Sequence, residues 1–115
     1  MTHNMSKLEI STTSAVKRTE DQIIKKHLDV IILKALSKEQ LSSYSIISFV
    51  HRKYGVLLGA GMVYNLLRSL EKRHIIKAKR TRRAKCYVLD KKGEEILEII
   101  VNNRNRIRNA VNKVF

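Results

Sequence analysis

Residues 59–89 constrain this chain more than any other stretch. Val63, Leu66, Leu67 and Leu70 fall at i, i+3, i+4 and i+7, one face of a helix. Gly61, Asn65, Arg68 and Lys72 fall on the opposite face at the same period. Two runs of strand character follow at once, Ile75 to Arg80 and Lys85 to Leu89, around Thr81-Arg82-Arg83-Ala84. The helix has to bury its apolar stripe, and an isolated hairpin is marginal in water. Both therefore need a core supplied by the rest of the chain.

Upstream, Ser37-Lys38-Glu39-Gln40 reads as a turn and Leu41 as a short strand. Ser42 or Ser43 is placed to cap a helix with apolar Ile46, Ile47, Phe49, Val50 and Tyr54, closed by Gly55. That helix, the link Val56-Leu57-Leu58 and the next helix, running to about Arg73, form a helix-turn-helix. Further upstream, Ser14 or Thr19 can start a first helix, with Glu20 and Asp21 near its positive end. From Ile23 to Leu36 this helix is apolar over most of its circumference. One side is expected to face the core and the other a second helix or a second chain.

Downstream, Asp90 caps a last helix expected to run unbroken from Lys91 to about Lys113. Ile96, Ile100, Asn103, Ile107, Ala110 and Val114 step along it as a heptad seam with one polar member. This seam is the expected dimer interface, with Asn103 fixing its register. Residues 1–18 are polar and aperiodic and are expected to be a flexible arm. The expected fold is mainly α with a small β-hairpin wing. It comprises a winged helix-turn-helix over residues 19–90 and a long C-terminal dimerisation helix over residues 91–115.

Charge points to the partner. The net charge is +14, and it is unevenly spread. Between Arg52 and Lys92 there are thirteen Lys or Arg against two acids, Glu71 and Asp90. Lys77, Lys79, Arg80, Arg82, Arg83 and Lys85 put six cations into nine residues with no acid among them. Clustered long cations of this kind neutralise phosphates, so the expected partner is double-stranded DNA. On the helix, Asn65 and Arg68 are suited to adenine and guanine edges, and Met62 to a thymine methyl. Gly61, Tyr64 and Lys72 complete that face, with Tyr64 able to offer its hydroxyl to a phosphate. Ser42, Ser43 and Tyr44 put hydroxyls and free N–H groups at a helix start, a seat for a backbone phosphate. Lys79, Arg80, Arg82, Arg83 and Lys85 are the wing contacts.

Other classes of function find no support in the residues. No stretch approaches the ~18 uninterrupted apolar residues of a bilayer span. No apolar secretory core is visible, and a single cysteine, Cys86, permits no intrachain disulfide. The expected location is cytoplasmic, on the nucleoid. His3, His27, His51, His74 and Cys86 share no ligand spacing, so neither a metal nor another cofactor is expected. There is no nucleophile elbow, phosphate loop or carboxylate pair in an apolar setting, so the chain is not expected to be an enzyme.

Three segments together resemble the PadR-like transcriptional regulators. They are Leu41 to Ile47, Gly59 to Ile76 with Gly61-Met62-Val63-Tyr64 as its most specific part, and Tyr87 to Gly93. The resemblance runs from about Leu28 to Ile100. It implies a winged-helix homodimer joined through the C-terminal helix, usually a repressor. Departures from the family pattern are Ser42 and Ser43 for a His-Gly pair, Ala60 for a proline, His74 for a helix-closing glycine and Asp90 for a threonine. The tryptophan often used for effector binding has no counterpart, so no small-molecule effector is carried over. Two other readings use the same fold: a non-specific architectural DNA-binding protein, and a protein-interaction module of a transcription assembly.

Overall fold

The computed structural model describes residues 2–115, with side chains from Thr12 onward. Six helices and three strands follow one another: α1 Thr2–Lys26, α2 Leu28–Leu36, β1 Leu41–Ser42, α3 Ser43–Tyr54, α4 Ala60–Lys72, β2 Ile76–Arg80, β3 Lys85–Leu89, α5 Lys91–Asn102 and α6 Arg104–Val114. The strands form one antiparallel sheet in the order β1-β3-β2. This is the expected winged helix-turn-helix, and Leu41 does begin a strand.

The core lies where α2, α3, α4 and the sheet meet. Ile32, Ile46, Val50, Val56, Val63, Leu67, Leu70, Ile75 and Ile76 are its fully buried members. At roughly 1.5–3 kcal/mol for each large aliphatic removed from water, these residues dominate the stabilisation. Val63, Leu67 and Leu70 all belong to the stripe read in α4. The same register leaves Gly61, Asn65, Arg68 and Lys72 exposed.

Local signals account for the ends of the helices. Ser42 caps α3, its Oγ accepting the Ser45 N–H at 3.1 Å. Gly55 ends α3 in the left-handed region at φ 69°. α4 closes with the His74 N–H bonded to Glu71 O at 3.1 Å and the Ile75 N–H to Leu70 O at 3.0 Å. Those are the two bonds of a Schellman close, completed by buried Leu70 against buried Ile75. The close requires a positive φ at His74, which has φ 58°. His74→Gly is therefore expected to stabilise the chain by about 0.5–1 kcal/mol. In a thermal scan that appears as a rise in Tm of about 2–6 °C. An unchanged or lowered Tm would contradict a strained backbone at this site.

Three expectations need correction. The polar N-terminal segment, expected as an arm, is helical from Thr2. It contains neither glycine nor proline, and from Thr12 to Glu20 every residue is exposed. With no residue buried from Thr12 to Glu20, that stretch has no apolar period to reveal a helix. Lys17 ties this region to the end of α3, its Nζ donating to Gly55 O at 3.2 Å and also to Asp21 Oδ1 at 2.6 Å. The first helix is also interrupted at His27, at φ −106° and ψ 20°, so the apolar run 28–36 is a separate helix. Its second apolar side faces another helix, one of the two occupants expected. Val30 and Leu33 line a small cavity with Ile96 and Ile100 of α5.

The last helix breaks as well. Asn103 sits between α5 and α6 at φ −112° and ψ 19°. Its Nδ2 donates to Ile99 O at 2.8 Å. Asparagine competes in this way for backbone carbonyls, and such bonds disturb a helix. The expected seam is thus divided: Ile96 and Ile100 are half-buried against their own domain, whereas Ile107, Ala110 and Val114 are exposed.

Candidate nucleic-acid interface

The exposed face of α4 is the centre of the site. Its start is open: Gly59 provides no side-chain cap, and the Val63 N–H is bonded to Gly59 O at 3.1 Å. The N–H groups ahead of Val63 lie in the first turn, where a helix has no acceptor of its own. They face outward with the positive end of the helix, a natural seat for an anion. Met62 and Tyr64 are 41% and 52% exposed, and Asn65, Arg68 and Lys72 are exposed beside them. At Gly61 a Cβ would meet no atom within 4 Å. The protein itself therefore does not need a glycine there.

α3 adds Tyr44, 79% exposed in its first turn. Ser42 and Ser43 do not play equal parts. Ser42 is taken up by capping and by the Ser45 hydroxyl at 3.0 Å, and both serines are half-buried. Leu57 was not singled out in the sequence. It is 71% exposed in the link between α3 and α4, whereas Val56 and Leu58 on either side are buried. The alternation is visible in the structure but not in three consecutive apolar letters.

The wing is built on register. Ile76 pairs with Leu89, Ala78 with Tyr87 and Arg80 with Lys85, while β1 adds Leu41 opposite Tyr87. Tyr87, 4% exposed, fills the inward face. The bulk of Tyr87 fits because Ala78 lies directly opposite it. Lys77 and Lys79 lie on the other face and are exposed. At the tip the Thr81 N–H bonds to Ala84 O at 3.0 Å, and the Thr81 hydroxyl reaches the same oxygen at 2.9 Å. That closes the turn and projects Arg82 and Arg83.

One wing cation points elsewhere. Lys85 Nζ lies 3.8 Å from Glu71 Oε1 of α4 and 5.5 Å from the centre of the Tyr87 ring. It steadies the wing against α4 instead of adding to the tip. Arg80 stands directly opposite Lys85, so like charges meet across the hairpin. Such a pair is destabilising in the isolated chain, and an anion at the wing would relieve it.

The arrangement presents helix N–H groups, two candidate base-reading side chains and a cationic hairpin on exposed surface. No group of His, Cys, Asp and Glu suited to a metal occurs among the described residues. No described helix is long and apolar enough to cross a membrane.

No family model matches the sequence, and no curated protein matches it. Solved structures do share the fold. A PadR family transcription regulator from Clostridium difficile R20291 is 24% identical with a TM-score of 0.67, over 76% of this chain and 97% of that one. A PadR-like transcriptional regulator from Bacillus cereus strain ATCC 14579 is 24% identical with a TM-score of 0.68, over 81% and 95%. Bacillus subtilis PadR in complex with operator DNA is 26% identical with a TM-score of 0.59, over 64% of this chain and 46% of that one. The fold of this chain is that of PadR-like winged-helix regulators.

Proposed function

We propose that this chain is a PadR-like transcriptional regulator that binds double-stranded DNA sequence-specifically as a homodimer and acts as a repressor. Residues 19–90 would be the DNA-binding domain and residues 91–115 the dimerising segment, with the N-terminal residues 1–18 as an appendage. One observation carries the reading. The buried stripe of α4 turns Gly61, Asn65 and Arg68 outward, on a helix with an open N-terminus whose other end is tied through Glu71 and Lys85 to an arginine-tipped wing. The shared fold with a PadR structure in complex with operator DNA supports it.

The division of labour follows from chemistry. α4 enters a major groove by its N-terminal half, where Asn65 and Arg68 reach base edges. Gly61 lets the helix backbone approach closely, and Tyr44 and Tyr64 offer hydroxyls to phosphates. Lys77, Lys79, Arg80, Arg82 and Arg83 hold the sugar-phosphate backbone or the adjacent minor groove. Two such heads related by a two-fold axis require a pseudo-palindromic site. Its half-sites lie about one helical turn, ~10 bp, or a multiple apart. Repression follows from occupying such a site where polymerase would bind.

Salt tests the electrostatic part. With ~6–10 phosphates neutralised per dimer, log K is expected to fall against log salt with a slope of about −5 to −9. A fluorescence-anisotropy titration at four salt concentrations measures it. A slope near zero would remove DNA as the partner and leave a protein-interaction module.

A further inference from the structure

A groove between α2 and α3 belongs to neither surface described so far. α2 turns Val30 and Leu33 toward Ile96 and Ile100 of α5. Its other edge, Ile31, Lys34 and Ala35, borders a groove of about 60 Å³ whose far wall is α3. Ile31, Leu41 and Phe49 are half-buried against the core and make its apolar floor. Exposed Lys34 and Lys38 stand on one rim and exposed Lys53 on the other. Neither Ser42, Ser43 and Tyr44 nor any residue from 60 to 115 lines it.

The charge around this floor is unbalanced. Among the described residues the ion pairs are Lys17–Asp21 and Lys85–Glu71, so the three lysines have no carboxylate partner. Glu39 is the one acid lining the groove among the described residues. Lys53 is also held in place. Its Nζ lies 5.6 Å from the centre of the Phe49 ring and 5.6 Å from that of Tyr54. Those rings meet edge to face with their centres 6.4 Å apart. An ammonium attracted to two ring faces is fixed at the mouth of the groove at little further cost in side-chain freedom.

We propose that this groove docks an acidic segment of another protein, which sets one leucine-sized side chain on the floor and carboxylates against Lys34, Lys38 and Lys53. Charge complementarity gives the sign of the partner. The floor gives the anchor, because an aliphatic side chain gains by leaving water there. DNA is the poorer occupant. On α3, Lys53 follows the proposed DNA contact Tyr44 by nine residues. That is about two and a half turns, so the two lie on opposite sides of the helix. A phosphate backbone would also leave Ile31, Leu41 and Phe49 uncovered. The segment proposed for dimerisation lies elsewhere too, since α5 packs on the other edge of α2. A copy bound to DNA thus keeps this groove free, and can hold a second protein beside the site it occupies.

The probe is a labelled peptide with one leucine between runs of aspartate, followed by fluorescence anisotropy on the full chain at physiological salt. It is expected to bind at least about fivefold more tightly than the same peptide with alanine for the leucine. Lys34→Glu with Lys53→Glu is expected to weaken it at least about tenfold. Arg82→Ala with Arg83→Ala, at the wing tip, is expected to change it by less than about threefold, because salt screens distant charges. Lys34 and Lys53 are exposed, and circular dichroism checks that the helices remain. The lysine pair is also tested on random duplex, where the salt slope is expected to stay the same. Peptide binding that ignores the leucine or the lysine pair, or that follows the wing pair, is mere attraction of an acidic peptide to a basic chain and would overturn the docking. A salt slope reduced by about 2 would overturn it as well, by making both lysines phosphate contacts. So would a chain that binds neither peptide.

Discussion

Gly93→Ala is expected to lower the stability of the chain by about 3 kcal/mol, a large fraction of what a domain of this size possesses. Gly93 lies in the first turn of α5, where the helix crosses the start of the sheet. A Cβ there would stand 2.1 Å from Ile75 O and 3.3 Å from Ile75 Cγ2. The carbonyl cannot swing away without loss, because it accepts the Asp90 N–H at 3.0 Å. The junction therefore has to open, and Ile75 and Ile76 are fully buried at that junction. Alanine's better helix propensity, about 1 kcal/mol, offsets only part of this. Gly61→Ala is the control: the same chemical change on a neighbouring helix, at a site with no atom within 4 Å of the added carbon. It is expected to leave stability unchanged or raise it by up to about 1 kcal/mol. Urea titrations of the two variants separate the cases. Equal midpoints would mean that α5 is not held against Ile75 as described.

The second large effect concerns DNA. Asn65→Ala with Arg68→Ala is expected to lower affinity for a cognate site by about 2–6 kcal/mol, taking 1–3 kcal/mol for each base-reading pair. Affinity for random DNA should change little. Arg82→Ala with Arg83→Ala should behave in the opposite manner. It weakens binding to every sequence and reduces the salt slope by about 2, because these side chains meet phosphate. Both pairs are exposed, so folding should not confuse the outcome. The two patterns distinguish a reading helix from a gripping wing. If both pairs lowered all affinities alike, α4 would be one more phosphate contact.

The parts of this structure that bury a periodic face were legible in the sequence. The stripe Val63–Leu66–Leu67–Leu70 gave the orientation of α4, and with it the outward set Gly61, Asn65 and Arg68. Thr81 to Ala84 located the wing tip, and His74 its strained neighbour. Features that depend on position in space were not legible. Gly93 reads as one small residue until the Ile75 carbonyl is placed 2.1 Å from where its side chain would begin. Lys85 reads as one cation among six until register turns it toward Glu71. Asn103 reads as a polar member of a seam, yet its amide is spent on the Ile99 carbonyl and marks the end of α5. Thr12 to Glu20 lack a period because every residue there is exposed. The exposed positions proposed for the DNA surface follow from residue type and helix phase.

The central claim is that α4 and the wing together read a particular DNA sequence. The most direct test selects bound fragments from sheared genomic DNA at physiological salt, then competes the recovered fragment against random duplex of equal length. The account predicts a pseudo-palindrome with half-sites about 10 bp or a multiple apart. It also predicts a preference for the recovered fragment of at least about 10³, reduced toward unity by Asn65→Ala with Arg68→Ala. Equal affinity for recovered and random DNA would contradict it and make the chain a non-specific, architectural DNA-binding protein.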